Sequence, residues 1–329
     1  MYTAFYKLAA KPFQLSPDHR FFFGGRSHKR AMAYLSYGLS EREGFIVITG
    51  EVGAGKTTIV RHLLDQIDKG QYVSASVVTS LLEGDDALRM VASAFKIPVQ
   101  ATDKAALLRA IEAFLIERHR AGKHVVLVVD EVQNMRFSAL EELRMLSNFQ
   151  VGSKSLLQCF LLGQPEFRPI LAGDQLEQLR QRVIASCHLE PLEPDETREY
   201  ILHRLRLVGW NDDPTLTDGA FSQIHRHTGG VPRRINNLCS RLLLTGALEG
   251  LHQFDDTVVM EVVREVGEEE GRYISPEHRA APVLQIPAPH PTAASSQQRP
   301  QPIIHAPPPN GGEGLDELMR RIAALKKQA

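Results

Sequence analysis

The chain has 329 residues, 43% hydrophobic and 23% charged, with a formal net charge of −1 at pH 7. That is an ordinary globular composition, and the near-neutral balance supplies no global field for nucleic acid or an anionic membrane. No apolar run approaches the roughly 18 residues of a membrane-spanning helix, and "MYTAFYKLAAKPFQLSPD" lacks the charged lead and apolar core of a signal peptide.

Residues 1–30 mix aromatics with turn residues, and a helical pattern occupies about 27–39. From Gly44 onward short apolar runs alternate with helix-length segments. "FIVIT" (45–49), "YVSASVV" (72–78), "HVVLVV" (124–129), "LLQCFLL" (156–162) and "ASCHL" (185–189) read as strands. Between them "GKTTIVRHLLDQI", "DALRMVASAF", "AALLRAIEAFLIERHR" and "SALEELRMLSNF" have helical periodicity. Apolar strands separated by helices predict an α/β fold with a parallel sheet covered on both faces.

After about Pro191 the strands stop, and "DETREYILHRLRLVG", "TDGAFSQIHRHTGG", "PRRINNLCSRLLLTGALEG" and "DDTVVMEVVREVG" follow as helices. This divides the chain into an α/β core over 1–190 and a small all-helical domain over 191–272. Residues 273–312, rich in Pro, Ala, Gln and His, hold too few large apolar side chains to fold alone and read as a disordered linker. Over 313–329, Leu315, Leu318, Ile322 and Leu325 set one apolar stripe on a short helix. A lone helix of that length is marginal in water and calls for a partner surface. Cys159, Cys187 and Cys239 are far apart and without metal spacing, as reduced, buried thiols of a cytoplasmic protein would be.

The stretch "GFIVITGEVGAGKTT" contains a full G-x-x-x-x-G-K-[ST] match between a strand and a helix. Across Gly50, Glu51, Val52, Gly53, Ala54 and Gly55 the glycines allow turns that side chains would block, so backbone N–H groups face inward around phosphate oxygens. Lys56 is placed to reach the β- and γ-phosphates, Thr57 to ligate Mg²⁺, and Thr58 to extend the same turn of a helix whose N-terminus favours anions. In "HVVLVVDEVQN" a buried strand delivers Asp130 and Glu131 to its carboxyl end. Asp130 is suited to the Mg²⁺ shell and Glu131 to orienting or deprotonating an attacking water. An acidic pair at a strand end is common on its own; a phosphate loop upstream gives this pair a task. The chain has no Asn-Lys-x-Asp guanine reader, so ATP is the expected nucleotide. Aromatics near 20–24 could line the adenine pocket or simply pack in the core.

The mixed core, two nucleotide motifs and helical segment resemble an AAA+ ATPase with a helical lid. More narrowly, "PFQLSPDHRFFFGGRSHKRAMAYLSYGL", "VVDEVQN", "LEELRMLSNFQ", "LLGQPEF" and "LRQRV" resemble the ATPase module of the general secretion pathway protein A family, closest to members associated with exosortase/PEP-CTERM exopolysaccharide loci. The likeness runs over about 1–270; beyond it, the relatives often continue into a membrane-spanning and a peptidoglycan-binding region, where this sequence has the proline-rich stretch. The resemblance implies a γ-phosphate sensor at Gln164, an arginine finger reaching a neighbouring subunit's ATP from Arg180 or Arg182, and a second sensor at Arg233 in the first turn of a helix begun by Pro232.

These roles imply a homo-oligomer that switches or remodels a partner in envelope secretion or exopolysaccharide export. Such a protein would be cytoplasmic, reaching the inner membrane through that partner, with the terminal helix as docking handle. The alternative is a DNA-associated regulator of the transposition-ATPase type, which the near-neutral charge and lack of a DNA-binding module disfavour. A polysaccharide-locus tyrosine kinase would share the phosphate loop but carry a C-terminal tyrosine cluster, and no tyrosine follows Tyr273.

Overall fold

A computed structural model describes residues 1–14, 21–78, 83–98 and 103–269. The proline-rich stretch and the predicted terminal helix over 313–329 lie outside them. Residues Met1–Val263 form one compact unit; of the second, from Arg264, only the end of one helix is described.

A short helix α1 (Tyr2–Phe5) and a long α2 (Arg26–Glu41) precede β1 (Phe45–Gly50), α3 (Lys56–Gln66), β2 (Tyr72–Val78), α4 (Gly84–Ala94), α5 (Lys104–Arg120) and β3 (His124–Asp130). Next come α6 (Phe137–Leu146), the hairpin β4 (Gln150–Val151) and β5 (Lys154–Ser155), β6 (Leu157–Gly163), α7 (Phe167–Ala172), α8 (Glu177–Arg180) and β7 (Val183–Leu189). The chain then runs through α9 (Pro194–Arg206), β8 (Thr215–Leu216), α10 (Asp218–Thr228), α11 (Pro232–Glu249), β9 (Gln253–Phe254) and α12 (Asp256–Glu269).

The main sheet has five strands in the order β2-β3-β6-β1-β7, and every neighbouring pair is parallel. Successive strand residues point to opposite faces, and both faces are buried. Phe45, Val47, Val125, Leu127 and Val129 pack with Leu88, Leu107, Ile111 and Leu143 of α4–α6. Ile46, Ile48, Val126 and Val128 pack with Ala31, Leu35, Ile59 and Leu63 of α2 and α3. Parallel register puts the ends of β1, β3 and β6 along one edge, where Gly50, Asp130 and Gly163 emerge.

The helical run after Pro191 is interrupted by β8 and β9, which pair in parallel over Thr215–Leu216 and Gln253–Phe254. This corrects the expectation that strands stop there; two residues are too short a stretch for a period-2 pattern to register. Helix α9 begins with a capping box between Glu193 and Glu196 and has Pro194 at its first position, while Gly229 ends α10 in the left-handed region. The N-terminal residues join this helical part: Ala9 N–H donates to Val208 O at 2.9 Å, and the Tyr6 hydroxyl to Leu251 O at 2.9 Å. All three cysteines are buried. Among the described residues, no helix is long and apolar enough to cross a membrane.

Candidate nucleotide-binding site

The turn after β1 is shaped by φ values of 86° at Gly53 and 99° at Gly55. A side chain at Gly53 would also collide with the Arg233 Cβ, 2.3 Å from where its own Cβ would stand. The Arg233 N–H donates to Gly53 O at 3.3 Å, so the first turn of α11 rests on the phosphate loop. Beside it, Arg234 pairs with Glu51 at 3.6 Å. Val52 is 49% exposed at the loop's tip, and Ala54 is buried beneath it.

Lys56 is buried, and its ammonium donates to Gly50 O at 2.7 Å and Glu51 O at 3.0 Å. Burial lowers its pKa despite the opposing pull of Glu131 and Asp130. The Thr57 hydroxyl donates to Asp130 Oδ2 at 2.6 Å, and Glu131 N–H to Asp130 Oδ1 at 2.9 Å. A hydroxyl and a carboxylate together beside a phosphate loop are the hard oxygen donors Mg²⁺ selects, so these two residues fit that ion.

Glu131 adopts the left-handed conformation, φ 57°, at the bend after β3. Its Oε2 accepts from Gln133 Nε2 at 2.6 Å and from Gln164 Nε2 at 3.0 Å. Gln133 in turn accepts the Gln164 N–H at 2.9 Å. Burial alone would raise the Glu131 pKa, but the two amides, with the charges of Lys56 and Arg233, outweigh it and hold the carboxyl below its usual range. Sequence reading did not single out Gln133, whose only signal is its position two residues past Glu131.

An open cleft runs from the loop to the helical part, with Gly53, Gly55, Lys56, Thr57, Thr58, Glu131 and Arg233 at one end. Phe21, Phe22, Phe23, Leu192, Tyr200, Arg204 and Asn236 line the rest, so the aromatics near 20–24 do border the site. Buried Arg204 donates to Pro12 O at 2.6 Å and to the Tyr200 hydroxyl at 2.7 Å, and Tyr200 donates to Asn236 Oδ1 at 2.9 Å. His28 supports the loop from below, with Nε2 3.0 Å from Ala54 O and Nδ1 buried without a partner. Burial pushes the His28 pKa down, so the ring is neutral at neutral pH. His28, Tyr200, Arg204 and Asn236 match no motif, and only the fold brings them here.

Arg180 and Arg182 are not in this cavity. Exposed Arg180 donates to Ala172 O at 2.7 Å and also reaches Leu171 O and Gly173 O, where α7 ends. Half-buried Arg182 donates to Ser147 O at 3.2 Å and Ser147 Oγ at 3.0 Å, at the end of α6. Each binds carbonyls that a helix C-terminus leaves unpaired.

Residues 39–171 match the family model described as an AAA domain. Over 257 residues, 77% of this chain, the sequence is 38% identical to general secretion pathway protein A of Aeromonas hydrophila, and it spans 46% of that protein's length. Cdc6p from Pyrobaculum aerophilum superposes with a TM-score of 0.64 at 17% identity, over 78% of this chain and 70% of that one. The Aeropyrum pernix ORC2 protein, in ADPNP–ADP complexes, superposes with 0.59 at 16% identity, over 78% and 71% of the respective chains. The fold is a P-loop AAA+ parallel sheet flanked by helices.

Proposed function

From this AAA-type fold, we propose that the chain binds and hydrolyses ATP, and that nucleotide state switches or remodels a protein partner. The observation that carries the reading is the junction at the sheet edge, where Thr57 meets Asp130 at 2.6 Å beside Lys56 and Glu131. Lys56 leaves its two backbone carbonyls to reach the β- and γ-phosphates. Thr57 and Asp130 hold Mg²⁺, which when bound neutralises charge on the transferring phosphoryl group. Glu131, kept ionised and aimed by Gln133 and Gln164, orients and deprotonates the attacking water. Gln164 thereby links the end of β6 to the reacting group. Arg233 adds positive charge from α11, and Arg180 or Arg182 does so for the site of a neighbouring copy.

Core 1–190 and lid 191–272 would grip the nucleotide between them, so ATP sets their relation and the homo-oligomeric contact. The partner belongs to envelope secretion or exopolysaccharide export, of the exosortase/PEP-CTERM type, and meets the segment over 313–329, whose apolar stripe is read from the sequence. The likeness to general secretion pathway protein A over 77% of this chain supports the secretion part of this reading. ATP turnover per subunit, measured across a wide range of protein concentration with and without duplex DNA, tests the reading. The expected result is a rate that climbs with concentration irrespective of DNA. A rate that stays low until DNA is added would replace the envelope partner with a nucleic acid.

A further inference from the structure

The sheet has a second edge, opposite the nucleotide. There Arg42 follows α2, His119 and Lys123 surround the end of α5, His124 opens β3, and Lys154 stands in the hairpin. Arg42, His119, Lys123 and His124 line one shallow surface hollow with Tyr72. The Tyr72 and His124 rings are 5.4 Å apart and tilted by 49°.

Surface arginines elsewhere have carboxylate partners close by, such as Arg26 with Asp195 at 2.8 Å and Arg136 with Glu83 at 3.2 Å. Among the described residues, none of Arg42, Lys123, Lys154 or His119 forms an ion pair. The attraction of a helix C-terminus for cations accounts for His119 on α5. It also accounts for Arg42, the C-cap of α2, but not for Lys154, which stands in the hairpin. The neutral polar groups are already committed: Gln158 donates to Glu43 O at 3.0 Å, and the Ser155 hydroxyl to Leu157 O at 3.2 Å. The pocket thus gathers cationic donors with no carboxylate to receive them.

We propose that this pocket binds a phosphate-type oxyanion, received by Arg42 and Lys123 beside His124. The guanidinium offers a planar fork and the ammonium a compact charge, the usual pair of phosphate contacts. The four residues ring one shallow hollow rather than a track, so a single surface-seated anionic group, from a soluble phosphate compound or a phospholipid headgroup, is the ligand class. Burial, followed by the charges of Arg42, His119 and Lys154, holds the His124 pKa below its usual value. An anion seated among them opposes that field, so His124 itself reports occupancy.

The test follows the His124 ring resonances through a pH titration of the full chain, in inorganic phosphate and in sodium chloride of equal ionic strength. A local readout is needed because the phosphate loop takes the same probe. The expected result is a His124 pKa that rises in phosphate beyond its value in chloride, with the difference abolished in Arg42→Gln/Lys123→Gln. Equal titrations in the two salts, or a response that survives in the double variant, overturn the site. Flotation with phosphatidylglycerol vesicles separates the sources: capture that the double variant loses assigns a headgroup, and a phosphate response without capture assigns a soluble phosphate compound. Duplex DNA that shifts His124 more than inorganic phosphate does, at equal phosphate concentration, replaces the proposal with a nucleic-acid surface.

Discussion

The Thr57 hydroxyl donates to the Asp130 carboxylate at 2.6 Å, tying the first turn of α3 to the last residue of β3. The contact joins two segments 73 residues apart in sequence. Thr57→Val removes the donor, but Asp130 keeps the Glu131 N–H, so the cost falls at the low end of a lost charged hydrogen bond, about 1.5 kcal/mol. It also removes an oxygen from the proposed Mg²⁺ shell, and turnover is expected to collapse while the fold survives. Thr57→Ser keeps the oxygen and is expected to retain both. Thermal melting alongside Mg²⁺-dependent turnover separates the two effects; a Val variant that hydrolyses ATP at the normal rate would sink the metal assignment.

Glu131→Gln is expected to bind ATP, lose turnover by about 10²–10⁴-fold, and trap any ATP-dependent oligomer. The wild-type pH profile should show the same group. A depressed carboxylate pKa in the folded state contributes stability above the unfolded pKa, and that contribution is lost as pH falls through the folded value. The ionised base should likewise persist below 4.5, the ordinary value, so no acidic limb from Glu131 is expected near neutral pH. Gln164→Leu removes one of the two amides holding Oε2 and should move that limb upward. An unchanged limb in this variant would mean that Gln164 does not tune the base.

The two candidate arginine fingers make opposite predictions. Arg182→Ala strips two hydrogen bonds from Ser147 at a half-buried position, a loss of about 1–2 kcal/mol that melting should register. Arg180 is exposed, so Arg180→Ala is expected to leave the melt within about 0.5 kcal/mol of wild type. If Arg180 serves the neighbouring site, its loss removes the concentration-dependent part of turnover, an effect on the order of 10³–10⁵-fold for a complete trans arginine. Concentration dependence that persists without Arg180 and disappears without Arg182 would reverse the assignment.

The central strands β1, β3 and β6 are readable as near-continuous apolar runs buried on both faces. The edge strands β2 and β7 show instead an alternation of buried and exposed residues between helices. Helices α7 and α8 and both two-residue ladders are shorter than the windows over which periodicity reveals structure, and carry no signal of their own. The phosphate loop and the Asp130–Glu131 pair have local signatures, since turn geometry and strand ends dictate residue types in place. The far end of the cavity has none. Arg204 and Pro12 are 192 residues apart, and nothing beside either one announces the other. The same holds for His28, which reads as one polar residue on a helix until the fold sets it against Ala54.

Arg204 gives the sharpest test of that unread half. Its buried guanidinium donates to Pro12 O, Gln14 O and the Tyr200 hydroxyl, and lies 4.8 Å from the centre of the Phe21 ring. It therefore pins the N-terminal segment to α9 while shaping the cavity wall. Arg204→Met keeps much of the volume but leaves Pro12 O and Gln14 O without their donor, an expected loss of about 2–4 kcal/mol. Lysine cannot span acceptors lying in several directions, so Arg204→Lys should recover little. Because the pinned segment borders the nucleotide cavity, ATP should stabilise the variant less than wild type, for which a ligand at 100 times its Kd contributes about 2.7 kcal/mol. Urea unfolding with and without ATP measures both quantities. A Met variant that loses stability yet gains the full increment from ATP would confine Arg204 to packing and remove it from nucleotide recognition.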